Sequence, residues 1–219
     1  KQEASQKDFL KFVKTVWPEF VEGNHHKIYA DKLNRIANGE LKRLIVNMPP
    51  RHTKSEFASH LFPAFFMGRH PKAKLIQTTH TGELAIRFGR KAKNLIESTE
   101  YEKVFPTVRL AADSKAAGRW ESNHGGEYFA AGVGGAITGR GADLLIVMTR
   151  WSIKDLTGKL LEAQGKDDET DQWEVVEFPA IINDKPMWGN FWSLKGLLGV
   201  KASIPLTKWQ AQWMQQPTS

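Results

Sequence analysis

The sequence contains no cysteine. A disulfide, a thiolate zinc site and a cysteine nucleophile are therefore excluded, and the composition is compatible with a reducing compartment. The chain also has no apolar run near the roughly 18 residues that a membrane-spanning helix needs. No secretory signal pattern precedes the first amphipathic segment. We therefore expect a soluble protein without a membrane partner.

Acidic residues are outnumbered by basic ones. Lys and Arg total 31 against 24 Asp and Glu, which gives a net charge of +7 and a pI of about 9.5. Such a balance favours a polyanionic partner, although most surface charge is simply solvated. The 219 residues suit one main α/β domain with a small appendage. Because the chain starts at Lys1 and ends at Ser219, we expect it to be part of a longer protein.

A strand, a loop and a helix are predicted in succession over residues 43–66. Leu44-Ile45-Val46 is typical of a buried strand, Pro49-Pro50 ends it, and an amphipathic segment begins at Lys54-Ser55. Such a loop directs backbone N–H groups and a helix N-terminus at one point, which suits a phosphate. Lys54 would reach the β and γ oxygens of a nucleotide, and the Ser55 hydroxyl would bind Mg²⁺. The pattern predicts a P-loop.

The glycines of that motif are missing. In the pattern G-x-x-x-x-G-K-[ST], Thr53 stands in the place of the second glycine and Met48 or Pro49 in the place of the first. From the motif alone, an ordinary helix start capped by Ser or Thr remains an alternative to a phosphate site.

The other patterns predict an α/β fold. A first helix is expected within residues 8–20 and ends at Trp17-Pro18. Further helices are expected over 26–37, 82–95, 152–161, 193–201 and 207–214, and strands over 73–79, 142–147 and 173–179. Short segments at 119–122 and 127–130, separated by Gly125-Gly126, predict an antiparallel hairpin. Strand, crossover helix and strand indicate a parallel sheet with ligands beyond its carboxyl edge. The predicted fold is a three-layer α/β/α P-loop NTPase (ASCE-type) fold with an added hairpin.

Further candidate residues lie outside the loop. His26 precedes the first strand, where P-loop motors hold the adenine base, and the alternative is that His25-His26 is a surface pair capping a helix. Arg87 and Arg90 lie on the charged face of a predicted helix. That face is usually only solvated, but in a ring ATPase such an arginine enters the neighbouring site. In the glycine-rich run 132–141 a flexible loop is favoured over a second phosphate cradle, and Arg140 is the residue placed to act.

Several stretches together resemble the large terminase subunit of tailed bacteriophages, the ATP-driven motor that loads DNA into the capsid. They are MPPRHTKSE at 48–56, GGEY at 125–128, GRGADLLIV at 139–147, MTRW at 148–151 with DLTG at 155–158, and WQAQWMQQP at 209–217. The resemblance covers nearly the whole chain. Glycine-poor P-loops with an added arginine are usual in that family, so the missing glycines agree with it.

The resemblance implies an ATP hydrolase with ATP and Mg²⁺ as cofactors. The implied nucleotide site comprises Pro50, Arg51, His52, Thr53, Lys54, Ser55 and His26. Lys54 would bind phosphate, Ser55 the metal, and Arg51 the γ-phosphate. Thr149 would couple hydrolysis to movement, and one of Arg87, Arg90 or Arg140 would act across subunits. The implied partners are double-stranded DNA, a homo-oligomeric ring (a pentamer in the family), the portal protein and the small terminase subunit. The implied location is the host cytoplasm, docked transiently on the procapsid.

Two departures from the family pattern stand out. The family has an acidic pair after the strand that matches residues 144–147, one acid for Mg²⁺ and one for the attacking water, and here Met148 follows Val147 directly. Asp143 begins that strand and cannot replace them. A strand–helix–strand crossover of about a few dozen residues is thus missing, and we expect the natural protein to contain it. The family's C-terminal RNase H-like nuclease is also absent.

The predicted organisation is a helical segment over 1–40, an ATPase core over 41–182 and a helical lid or linker over 183–219. Two rival functions remain at the level of sequence. One is a helicase- or recombinase-like P-loop ATPase, which would unwind or remodel DNA. The other is a non-catalytic DNA-binding or capsid-assembly module, which the missing acids favour.

Overall fold

The structure is a computed structural model that describes residues 2–114, 116–132, 135, 137, 139–147, 156–166 and 171–217. Contacts divide the chain into two compact units. The first unit comprises Lys1–Phe20 with Ser55–Thr149, and the second comprises Val21–Lys54 with Arg150–Ser219. The division predicted from the sequence, over 1–40, 41–182 and 183–219, was made by expected function and stays a prediction.

The first unit is a four-stranded sheet with helices. Its helices are α1 (Gln2–Lys7), α2 (Phe9–Val16), a π-helical segment (Glu56–Leu61) that continues into α4 (Phe62–Arg69), α5 (Gly82–Ile96) and α6 (Thr99–Val104). Its strands are β2 (Lys74–Thr79), β3 (Arg119–Glu121), β4 (Glu127–Gly132) and β5 (Leu144–Val147), in the spatial order β3-β4-β2-β5. β2 is parallel to both β4 and β5, and β3 is antiparallel to β4. The predicted α/β class, mainly parallel sheet and antiparallel hairpin are confirmed.

β2 lies inside this sheet, between β4 and β5, and carries the apolar pair Leu75-Ile76. All of its residues after Lys74 are buried. Helix α5 starts at the predicted place, where the Thr81 hydroxyl accepts a hydrogen bond from the Leu84 N–H at 3.3 Å. Gly89 of this helix lies so close to the chain that an added Cβ would be 2.4 Å from the Ala117 carbonyl oxygen. The backbone of α5 at Gly89 is therefore packed directly against the backbone at Ala117.

A cluster of phenylalanine rings forms the other core of the first unit. The Phe9 ring centroid lies 5.3–5.5 Å from those of Phe57, Phe62 and Phe65. All four side chains are buried. Aromatic residues on the helix after the loop are thus held against α2, which fixes the orientation of that helix within the unit.

The second unit pairs two parallel strands with helices. Its helices are α3 (Asn24–Ala37), α7 (Leu156–Gln164), α8 (Leu194–Ser203) and α9 (Leu206–Gln212), and its strands are β1 (Leu44–Asn47), β6 (Glu174–Glu177), β7 (Ile181–Ile182) and β8 (Lys185–Pro186). β1 and β6 are parallel and in register from Leu44 opposite Glu174 to Asn47 opposite Glu177. Asn183 and Asp184, with φ of 49° and 58°, form the tight turn between β7 and β8.

Some details differ from the sequence predictions. The helix predicted over 26–37 starts earlier, at Asn24. Its Ile28 is 48% exposed, and its buried face is built from His25, His26, Tyr29 and Leu33. The segment 183–219, predicted as a helical lid or linker, also contains the strand β8. The short helices α1 and α6 were not predicted. Within the described residues, no helix is both long and apolar enough to span a bilayer.

Candidate functional site

The candidate site is the loop that joins β1 to the following helix. β1 ends at Asn47, the loop occupies residues 48–53, and helical backbone begins at Lys54. Because β1 and β6 are parallel, Asn47 and Glu177 lie side by side at the carboxyl end of this ladder. Ligands of parallel sheets bind beyond that end. The loop therefore stands where such a sheet presents a ligand site.

Two loop residues adopt a backbone conformation that normally calls for glycine. Arg51 has a φ of 57° and Thr53 a φ of 67°. Positive φ is uncommon for any residue with a side chain and is especially unfavourable for a β-branched one. Thr53 also occupies the position of the motif's second glycine. The loop thus has the glycine conformation at that position without the glycine.

Hydrogen bonds to His26 hold this part of the loop. The Gly23 N–H donates to His26 Nδ1 at 2.8 Å, and His26 Nε2 lies 2.7 Å from Thr53 Oγ1. The Thr53 hydroxyl in turn donates to the His52 carbonyl at 2.5 Å. A backbone N–H can only donate, so His26 Nδ1 is the acceptor and the ring proton resides on Nε2. His26 therefore donates to Thr53.

His26 is neutral and fully buried. Burial lowers its pKa to about 3, and the neighbouring His25 and His52 act in the same direction. This burial bears on both predictions for His26, a surface pair that caps a helix and a contact with the adenine base. The histidines are not a surface pair, although His26 does cap the first turn of α3. Contact with an adenine base stays a prediction, and in this conformation the ring offers no exposed surface for it.

Lys54 is the partly buried cation of the loop. Its ammonium donates to the Met48 carbonyl at 3.1 Å. In the part of the chain that the structure describes, no carboxylate lies within ion-pair distance of it. Burial lowers its pKa. The Lys54 ammonium therefore has the Met48 carbonyl as its partner and no carboxylate partner among the described residues.

The remaining loop residues differ in exposure. Pro50 and Arg51 are exposed, so the Arg51 guanidinium is available to a ligand. His52 is fully buried, donates from Nδ1 to the Pro50 carbonyl at 2.8 Å, and stacks on Trp192 with ring centroids 5.8 Å apart. Of the predicted loop ligands, His52 therefore serves the packing of the loop and Arg51 is placed to reach outward.

Aromatic rings surround His25 and His52 within the second unit. His25 contacts Phe178 and Trp188, and His52 contacts Trp188, Trp192 and Trp213, all with centroids 5.4–6.0 Å apart. Both nitrogens of His25 and Nε2 of His52 are buried and find no hydrogen-bond partner among the described residues. Burial lowers the pKa of His25 to about 4 and also lowers that of His52. All three histidines behind the loop are thus kept neutral.

Sequence reasoning missed the acid that follows the loop. Ser55, the predicted Mg²⁺ ligand, has helical backbone, and the next residue, Glu56, binds Lys91 at 2.5 Å and His60 at 2.9 Å within the first unit. The His60 hydrogen bond and the Lys91 ammonium lower the pKa of Glu56 to about 2. The Glu56 to His60 spacing of four residues was the available signal. Lys91 is partly buried in this pair.

The predicted arginines lie in different settings of the first unit. Arg87 and Arg90 are exposed on α5 and form no ion pair within the described ranges. Arg140 bonds Glu127 at 3.2 Å and lies over the Phe129 ring at 4.0 Å. An action of Arg140 across subunits would therefore require it to leave its own chain's partners. Thr149 lies outside the described residues.

The acid Asp143 and a cleft lie at the amino ends of the parallel strands of the first unit. Asp143 accepts from the Lys74 N–H at 2.8 Å, at the amino ends of β2 and β5. A cleft of about 560 Å³ opens beside it and is lined by Arg69, His70, Lys72 and His124 among others. Ligands of parallel sheets bind at the carboxyl edge, so this cleft lies at the edge opposite to the usual ligand site of such a sheet. No cluster of metal ligands occurs among the residues described.

Comparison with models of known protein families and with curated proteins finds no match to this sequence. The function is therefore inferred from the contacts of the loop residues.

Proposed function

We propose that the chain is the ATPase domain of a viral DNA-packaging motor, a terminase large subunit with an ASCE-type P-loop fold. In this proposal the loop at residues 48–55 binds the phosphates of ATP together with Mg²⁺. The observation that carries the proposal is the partly buried Lys54 ammonium, which has a carbonyl partner and no carboxylate among the described residues.

A cation in this position favours an anionic ligand. Burial removes water from the Lys54 ammonium and lowers its pKa, which costs free energy as long as no negative charge lies nearby. A polyphosphate would supply that charge through short, charge-assisted hydrogen bonds. The Met48 carbonyl, which now accepts from Lys54, marks the place in the loop where the ammonium is held.

The neighbouring residues fit the same ligand. Exposed Arg51 would contact the terminal phosphate, and the Ser55 hydroxyl at the helix start would bind Mg²⁺. The left-handed backbone at Thr53 supports a P-loop over an ordinary helix start, since a simple serine or threonine cap needs only extended backbone. ATP supplies a transferable phosphoryl group to such a site.

The acidic pair expected directly after β5, by resemblance to the terminase family, is not found at that place in this sequence. β5 ends at Val147, and the sequence continues with Met148-Thr149-Arg150. We therefore expect this chain to bind Mg-ATP with slow turnover. Binding without hydrolysis is consistent with a motor domain that lacks the crossover carrying its acids.

Equilibrium binding of Mg-ATP to three proteins tests the proposal. Lys54→Ala should raise the Kd at least about tenfold, because a charged hydrogen-bond donor is lost. Lys42→Ala is the matched control, since this exposed lysine precedes β1, and its Kd should change less than about twofold. Equal affinity in Lys54→Ala and the wild type would remove the loop assignment.

A second candidate is a DNA-binding module without nucleotide chemistry, which the missing acids after β5 favour. It predicts no Mg-ATP binding in the assay above. Both candidates bind duplex DNA through phosphates, so affinity should fall linearly on logarithmic axes as salt rises and should not depend on sequence. Assembly into a ring on the DNA belongs to the motor proposal alone.

A further inference from the structure

We propose that His26 is a positioning residue for the phosphate-binding loop, because its imidazole holds Thr53 in the left-handed conformation that a glycine would adopt unaided. The inference rests on the proposed function for its effect on nucleotide affinity. The loop geometry itself is a property of the chain and can be tested without a nucleotide.

The backbone of Thr53 needs an external restraint. Its φ of 67° lies in the region that β-branched residues avoid, because the side chain crowds the following carbonyl. A residue persists in such a conformation only where the surrounding structure over-determines it. The restraint must therefore act on Thr53 itself or on its immediate neighbours.

The hydrogen bonds around Thr53 supply that restraint. His26 Nε2 donates to Thr53 Oγ1 at 2.7 Å, and this hydroxyl donates to the His52 carbonyl at 2.5 Å. The direction of both bonds is set by the Gly23 N–H, which occupies His26 Nδ1. The hydroxyl of Thr53 is thus used as donor and acceptor at once, and it ties the peptide before Thr53 to the ring.

The anchor for this tie is itself rigid. His26 has no exposed surface, and its ring packs on His25 at 3.8 Å and on Trp188 at 4.8 Å between centroids. Gly23 leaves no space for adjustment, since an added Cβ would lie 2.7 Å from Trp188 Cδ1. A rigid donor at a fixed distance selects one rotamer and one backbone conformation of Thr53.

This geometry predicts a specific exchange between two positions. If His26 serves to hold Thr53 left-handed, a glycine in place of Thr53 makes the histidine dispensable for the shape of the loop. The effect of His26→Ala should therefore be large in the wild-type background and small in the Thr53→Gly background.

The test is a double-mutant cycle with two readouts, the Kd for Mg-ATP and the equilibrium constant for unfolding in denaturant. His26→Ala should raise the Kd roughly tenfold in the wild-type background, since it removes the hydrogen bond that holds the loop. In the Thr53→Gly background the same change should alter the Kd by less than about threefold. The unfolding constants should show the same non-additivity.

His25→Ala is the matched control. It removes a neighbouring buried ring that makes no hydrogen bond to the loop among the described residues. Its effect on unfolding should be the same in both backgrounds, within about twofold. The cavity that His25→Ala leaves should therefore not produce the dependence on the Thr53→Gly background that is expected for His26→Ala.

The two proposals fail in different ways. Wild-type protein that does not bind Mg-ATP would refute the proposed function, and the unfolding cycle would then decide the inference on His26 by itself. Additive effects of His26→Ala and Thr53→Gly on unfolding would overturn that inference. So would an equal loss of Mg-ATP affinity from His26→Ala in both backgrounds.

Discussion

Asn47 Nδ2 donates a hydrogen bond to Glu177 Oε1 at 2.9 Å, and this contact joins the last residues of two parallel strands directly before the candidate loop. Asn47 is buried, so the contact is shielded from water on one side. An amide is suited to this place because it donates to a carboxylate without adding charge.

Replacing this amide by a carboxylate should destabilise the second unit. Asn47→Asp removes the donor and sets two acids against each other at the carboxyl end of β1 and β6. We expect a loss of about 1–3 kcal/mol in the free energy of unfolding at neutral pH. Denaturant titration measures it.

The chain offers an exposed counterpart as control. Asn38 Nδ2 donates to Glu40 Oε1 at 2.9 Å on the surface. Asn38→Asp should change the free energy of unfolding by no more than about 0.5 kcal/mol, because water screens the new charge. Similar losses in both variants would contradict the role assigned to the buried pair.

The buried histidines predict a loss of stability in mild acid. Burial lowers the pKa of His25 to about 4, that of His26 to about 3, and that of His52 below its ordinary value. Below about pH 6.5 these imidazoles are therefore protonated in the unfolded chain and remain neutral in the folded chain. The free energy of unfolding should fall from pH 6.5 towards pH 4.5, by up to about 1.4 kcal/mol per pH unit for each histidine.

Chemical denaturation across this pH range measures the slope. His25→Ala should reduce it by the share of one histidine, whereas His80→Gln, which changes an exposed side chain, should leave it as in the wild type. A free energy of unfolding that is constant or rises between pH 6.5 and 4.5 would show that these rings are not held neutral.

Two helical glycines should respond to alanine with opposite signs. In α5, a Cβ on Gly89 would meet the Ala117 carbonyl oxygen at 2.4 Å, and the Trp120 indole donates to the Gly89 carbonyl at 3.1 Å. Gly89→Ala should therefore cost about 1–3 kcal/mol through overpacking. In α8, Gly199 has open space around it, and Gly199→Ala should gain about 0.5–1 kcal/mol. Thermal unfolding of both variants tests the packing of α5, and a stabilised Gly89→Ala would refute it.

Patterns that act over a few residues predicted most of the fold. The apolar residues of β2, the helical periodicity of α5 and the glycine pair inside the β3–β4 hairpin each indicate their structure locally. Lys54 at the start of a helix after β1 was predicted in the same way. These elements depend on periodicity and capping, which a single sequence displays.

Contacts between distant residues could not be predicted in this way. His26 reaches Thr53 across 27 positions, and Asn47 reaches Glu177 across 130. No periodicity encodes such pairs, and the positive φ of Thr53 runs against the preference of threonine. The sequence therefore indicated a loop that lacks the glycines of the motif. The contact between His26 and Thr53, at the position of the second glycine, is seen only in the structure.

The most direct test of the central claim is a crystal structure of the chain with Mg²⁺ and a non-hydrolysable ATP analogue. The account predicts that Lys54 Nζ leaves the Met48 carbonyl and lies about 2.7–3.1 Å from an oxygen of the β- or γ-phosphate. A bound analogue whose phosphates lie away from residues 48–55, with Lys54 still bonded to Met48, would contradict it.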